Sequence, residues 1–250
     1  MYKVMDASAV TVILVMAAML TAPFYILWTY VASGASARKG ALIGAALGAW
    51  GAVMTWFCLA DVAASMGPLG RLVVPACWAT PTVILLLFRD WFLDRPLSQR
   101  WLVGLQAWRV IGAVFLIEMA RGNLPGIFAI PAGVGDVIEG VLAIGVLLAY
   151  RNKPAIGRTA VAAVIAVGLT DLAGAFFFAF TSTAGPQQLF HPAVANQPLL
   201  FPTGMIPLFL VPGLIFYHTL SLLNLRRTSN AKVRKMTEGT GFGAAGAAAV

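Results

Sequence analysis

From Val10 to Trp28 the chain carries no charged residue, and runs of this kind recur along it. A stretch of about 20 apolar residues is the length an α-helix needs to cross the roughly 30 Å hydrocarbon core of a bilayer. The apolar runs are continuous and do not alternate with polar residues, so they do not suit a membrane β-barrel. Helices follow, because lipid offers no partner to backbone N–H and C=O groups and a helix satisfies its own. Composition agrees: 60% of residues are hydrophobic and 10% charged, against about half and a quarter in a soluble domain.

The fold expected is all-α, a polytopic bundle of about seven transmembrane helices at 8–32, 41–64, 72–89, 101–120, 125–150, 159–180 and 199–223. Residues 1–227 form this domain. Residues 228–250, basic and then Gly/Ala-rich, are expected to be a disordered cytoplasmic tail. The chain's net charge of +8 reads as topology and not as a nucleic-acid surface. Numbered from an external N-terminus, the inner loops and tail receive thirteen basic residues, from Arg38 and Lys39 through Arg89, Arg95, Arg100, Arg151, Lys153 and Arg158 to Lys235. The outer side receives three, Lys3, Arg71 and Arg121. Lys and Arg collect in loops that stay in the cytoplasm, so an N-out, C-in protein of the cell (inner) membrane is expected. Trp28, Tyr30, Trp91, Trp101, Tyr150 and Tyr217 fall near the inner helix ends, as interfacial aromatics do. Ala35-Ser36-Ala37 resembles a signal-peptide cleavage site. The run before it is too long for a signal core, and Arg38-Lys39 argues that the first helix is retained.

The informative residues are the charges within helices, each costing at least about 2.5–3.5 kcal/mol at the bilayer centre and therefore a functional hypothesis by default. They are Asp61, Arg109, Glu118, Asp136, Glu139 and Asp171. Asp136 and Glu139 are three apart and share a helix face. Two carboxylates so close in low dielectric cannot comfortably both ionise, so one holds a proton or the pair shares a cation. Arg109, with Gln106 on the same face, lies at the depth of Asp136 on the preceding helix and is its natural partner. Glu118, half a turn out of phase, pairs better with Arg121. Asp61 and Glu118 lie near outer helix ends, where water is in reach, and are secondary candidates.

Pro131 and the glycines before Asp136 suggest a broken fifth helix of the kind that lines transporter sites. Leu59-Ala-Asp-Val-Ala63 and Leu169-Thr-Asp-Leu-Ala173 hint at a weak internal repeat. The uncharged loop 181–198 reads as an ordinary connection. The two histidines, His191 and His218, do not form an axial pair for haem, and no zinc set or disulfide framework exists, so no cofactor is expected. Cys58 and Cys77 fit buried free thiols.

Two functions compete. One is a small-solute transporter, coupled to protons or a cation, in which Arg109 binds an anionic group or keeps Asp136 ionised while Asp136, Glu139 and Asp171 carry the ion. The other is a seven-helix receptor or accessory subunit whose charges hold the bundle together. An enzyme ranks third, for want of a nucleophile–base pair. The expected partners are the lipid bilayer and a small solute or cation, with no nucleic acid, and a homo-oligomer remains open.

Overall fold

A computed structural model describes the backbone of residues 4–244 and, within it, the side chains of residues 4–67 and 69–227. It is all-helical, 76% helix with no strands among the described residues. Seven helices are long and apolar enough to cross a membrane. They are α1 (Ala9–Ala32), α2 (Ala37–Leu59), α3 (Val73–Leu87, preceded by a 3-10 turn Gly67–Leu72), α4 (Gln99–Ala120), α5 (Gly126–Ala149), α6 (Arg158–Ser182) and α7, a π turn at Ile206–Leu210 continuing as α-helix Val211–Ala244. Large apolar side chains point outward, including Phe24 at 70% exposed and Leu87 at 73%. That surface suits a hydrocarbon solvent and not water.

Successive helices alternate in direction, and the connections fall at two ends. One end holds the start of α1 and the connections 60–68, 121–125 and 183–205. The other, the basic end, holds 33–36, 88–98 and 150–157. At the basic end Arg100 donates to the carbonyls of Tyr150 (2.6 Å) and Lys153, and Arg227 donates to the carbonyl of Leu93. Lys39 is buried there. It pairs with Asp94 at 2.8 Å, donates to the Trp91 carbonyl and lies 4.6 Å from the Trp91 ring centre.

Helix ends follow local chemistry. Ser8 caps α1, its Oγ accepting from Thr11 N–H at 3.0 Å, and Ser36 caps α2 through Lys39 N–H. Glu118 is fully buried, which corrects the expectation that it reaches water. It accepts from Ser8 N–H (2.9 Å), Thr11 Oγ1 (2.5 Å) and Asn123 Nδ2 (2.7 Å), with Arg121 Nε at 3.7 Å. Glu118 thus fastens the start of α1 to the end of α4. Hydrogen bonds to a charged group contribute about 1.5–3 kcal/mol each. Glu118→Ala should therefore cost about 3 kcal/mol, read as a lower unfolding midpoint in detergent, and an unchanged midpoint would contradict this role.

Three expectations are corrected. The fifth helix is not broken: α5 runs through Pro131 without interruption. Pro131 removes one bond from the ladder, the one its N–H would make to the Ile127 carbonyl, and the helix continues past it. The irregular backbone lies in α4, which is 3-10 from Leu105 to Gly112, and in α7, whose first turn is π. The last helix begins at Ile206, not 199. Leu199 and Leu200 are apolar enough to read as helix but belong to the preceding connection. Its backbone continues to Ala244, because nothing after Pro212 stops it and residues 226–237 include good helix formers. The expectation of a disordered tail from Thr228 is not tested by this backbone, and residues 245–250 lie outside the described residues. Tyr217 and Tyr30 are buried in the core and are not interfacial. Cys58 and Cys77 are free and buried.

Candidate functional site

The glycines of α5 let α4 and α6 approach it closely. A Cβ on Gly140 would stand 2.8 Å from Val110 N, one on Gly133 2.7 Å from Leu116, and one on Gly135 would fall on Asp171 Oδ1. From α4, a Cβ on Gly112 would collide with the Asp136 side chain. Small residues at helix contacts allow this packing in membranes. Here they bring buried charges against bare backbone.

Arg109, on the 3-10 segment of α4, is buried and ties three helices. Its Nε donates to Asp136 Oδ1 at 2.8 Å, one terminal nitrogen to the Gly168 carbonyl at 3.0 Å, and the other to Asp171 Oδ2. The structure thus joins Arg109 to Asp136 and adds Asp171 to the same guanidinium. Its three nitrogens each hold an acceptor, and its single charge already faces two carboxylates, which disfavours an anionic ligand.

Glu139 lies one turn beyond Asp136 on α5, fully buried, with no hydrogen-bond partner for either oxygen and no ion pair among the described residues. His218 on α7 is 1% exposed, and its Nε2 also lacks a partner. Both converge on Gly168: a Cβ there would collide with His218 Nε2 and stand 2.9 Å from Glu139 Oε1. His218 was not among the candidates drawn from the sequence. In the sequence it enters only as a haem ligand, and a lone helical histidine carries no signal that it meets Glu139. Gln106 is buried but reaches away from the carboxylates, donating to the Leu214 carbonyl at 3.4 Å. Asp61 stands apart, past the end of α2 in a left-handed backbone conformation (φ 47°). Asp61 and Asp171 therefore occupy different settings, and the suggested repeat does not duplicate the charged cluster.

Two cavities meet at this cluster. An apolar one of about 330 Å³ lies on the side of the basic end, among α1, α2, α3, α4 and α7, and reaches Arg109 and Asp136. A second, of about 520 Å³, lies at the opposite end. Its walls include Asp61, Arg71, Gln187 and Asn196, and it also reaches Asp136. Asp136, Ile206 and Val211 line both. Part of the second wall comes from the 183–205 connection, which folds back over the bundle end. There the N–H groups of Leu189 and Phe190 donate to the Thr181 carbonyl, and Asn196 is buried against Ser182.

The π turn of α7 stands between the cavities. Pro212 has no N–H, so the carbonyl of Pro207 is free to accept from Trp78 Nε1 of α3 at 2.8 Å. Turns of this type are frequent at functional sites.

Gly135→Ala should cost roughly 1–3 kcal/mol through overpacking, because its methyl would displace Asp171 from Arg109. Loss of unfolding temperature in detergent would show it, and a wild-type midpoint would contradict the contact.

No curated protein and no solved structure matches the chain. Residues 68–226 match a family described as a domain of unknown function, DUF8737. The match takes in the 3-10 turn before α3, all of α3 to α6 and α7 as far as Arg226, and with them Arg109, Asp136, Glu139, Asp171 and His218. With more than half of its length so matched, the chain belongs to the DUF8737 family.

Proposed function

We propose that this protein is a small-solute transporter of the cell (inner) membrane, N-terminus outside and C-terminus cytoplasmic, coupled to protons or a cation through Asp136, Glu139 and Asp171. The observation that carries this reading is that Asp136 lines two cavities approaching it from opposite ends of the bundle, with Ile206 and Val211 between them. A transported solute needs such a position, reached from either side in turn and sealed by a movable element. The proline-flanked π turn of α7 is that element in this reading.

The charge balance supports coupling. Three carboxylates lie in this region with one guanidinium, which pairs with Asp136 and Asp171 and leaves Glu139 without a partner. Of the two roles considered for Arg109, holding Asp136 ionised fits its geometry and binding an anion does not. The surplus negative charge calls for a mobile positive one. No group of three or more His, Cys, Asp or Glu residues suited to a metal ion occurs among the described residues, which favours a proton or an organic cation over a tightly ligated metal. The three-helix clamp made by Arg109 equally suits the accessory-subunit reading, in which the charges only fix assembly.

Purified protein in vesicles, loaded by an imposed pH or Na⁺ gradient and offered a mixed panel of amines, amino acids and sugars, separates the two. Gradient-dependent accumulation of a solute is expected. If nothing moves, or if Asp136→Asn, Glu139→Gln and Asp171→Asn all transport normally, the carboxylates are structural.

A further inference from the structure

We infer that the apolar cavity beside Asp136 binds a lipophilic organic cation, an ammonium-type charge on an apolar body, which reaches it sideways from the membrane. This inference rests on the transport reading of the same site and names its substrate class.

The cavity's volume, about 330 Å³, falls within the range of small-molecule pockets, which run from about 300 to 1,000 Å³. Its walls are nearly all apolar and rich in aromatic rings, including Tyr30, Trp50, Trp108 and Phe209. At its inner end stands Asp136, whose second carboxylate oxygen is not held by Arg109. Ring faces and a carboxylate both attract a cation, and the attraction is greatest where water is excluded. An anion would find two neutral donors, Trp50 Nε1 and Tyr30 Oη, and a guanidinium whose single charge already faces two carboxylates. Charge complementarity therefore selects the cation.

The route follows from the rim. Leu42 of α2 is 52% exposed and Ile84 of α3 is 43% exposed, and both line the cavity. The opening thus lies between α2 and α3, on the apolar flank toward the basic end, where Trp91 also lines it and is 40% exposed. A molecule that partitions into lipid arrives at such a mouth, whereas a sugar or an amino acid does not.

Tetraphenylphosphonium tests the class, with tetraphenylborate as an anion of the same shape. Equilibrium dialysis against the purified full-length protein should show saturable binding of tetraphenylphosphonium and none of tetraphenylborate. Asp136→Asn should weaken the cation about tenfold or more, the loss of roughly one favourable charge contact. Leu47→Trp fills the cavity without touching the ion pair, and should abolish binding while leaving the unfolding midpoint unchanged. Tetraphenylborate binding as tightly as the cation would overturn the inference. So would cation binding that survives both variants. Failure of transport is separable: saturable binding that no gradient converts into uptake leaves the site standing and removes the transport reading. Gradient-driven movement of another solute, with no tetraphenylphosphonium bound, does the reverse.

Discussion

Replacing Arg109 by methionine is expected to destabilise the folded bundle by roughly 3–5 kcal/mol, because it strands buried carboxylates. Asp136 and Asp171 both sit on this one guanidinium, and the Gly168 carbonyl takes its remaining nitrogen. A methionine fills similar volume but leaves both carboxylates without this donor, while the Gly168 carbonyl keeps its place in the helix ladder. Replacing the whole cluster at once, Arg109→Met with Asp136→Asn and Asp171→Asn, should recover most of that loss, since a buried ion network replaced by neutral groups is often close to neutral in stability. Unfolding midpoints of the single and triple variants in detergent decide the matter. A triple variant as unstable as the single one would mean that the charges do not act as a unit.

Asp136→Asn is expected to remove gradient-dependent uptake altogether, at least about a tenfold loss, while the protein stays folded. Folding should persist because Arg109 keeps Asp171 and the Gly168 carbonyl, and asparagine can still accept from Nε. Uptake should fail because the group common to both cavities no longer carries a negative charge to attract the coupling ion. Initial rates in vesicles with and without a pH gradient would show it. An Asp136→Asn variant that accumulates solute as wild type does would place the coupling elsewhere.

Much of this was legible in the sequence. The apolar runs pointed to seven helices, and the ends of α1, α5 and α6 fell within about two residues of expectation because polar residues or glycine bound them. The Arg109–Asp136 pairing followed from equal depth on consecutive helices. Other features had no local signal. Nothing between Leu105 and Ile111 announces a 3-10 helix. That geometry arises where α4 lies on the glycine face of α5, which is tertiary packing and not propensity. The start of α7 was misplaced because hydropathy does not separate an apolar connection such as Leu199–Phe201 from a helix. Asp171 was grouped with Asp136 and Glu139 and not paired with Arg109, because depth alone does not say that Gly135 lets its carboxylate reach Arg109 across α5. Glu118 looked near water because position along a helix does not reveal that the start of α1 covers it.

Transport by this route requires that solute pass the π turn of α7 through a position open to each side in turn. Val211 lies at that position, lining both cavities. The direct measurement is Val211→Cys, with Cys58 and Cys77 replaced by alanine, exposed in sealed vesicles to a membrane-impermeant thiol reagent from either side. Val164→Cys, buried away from both cavities, is the control. The thiol introduced by Val211→Cys should react from both sides, and the control from neither. Reaction of the Val211→Cys variant from one side only, or from none, would rule out alternating access at this turn.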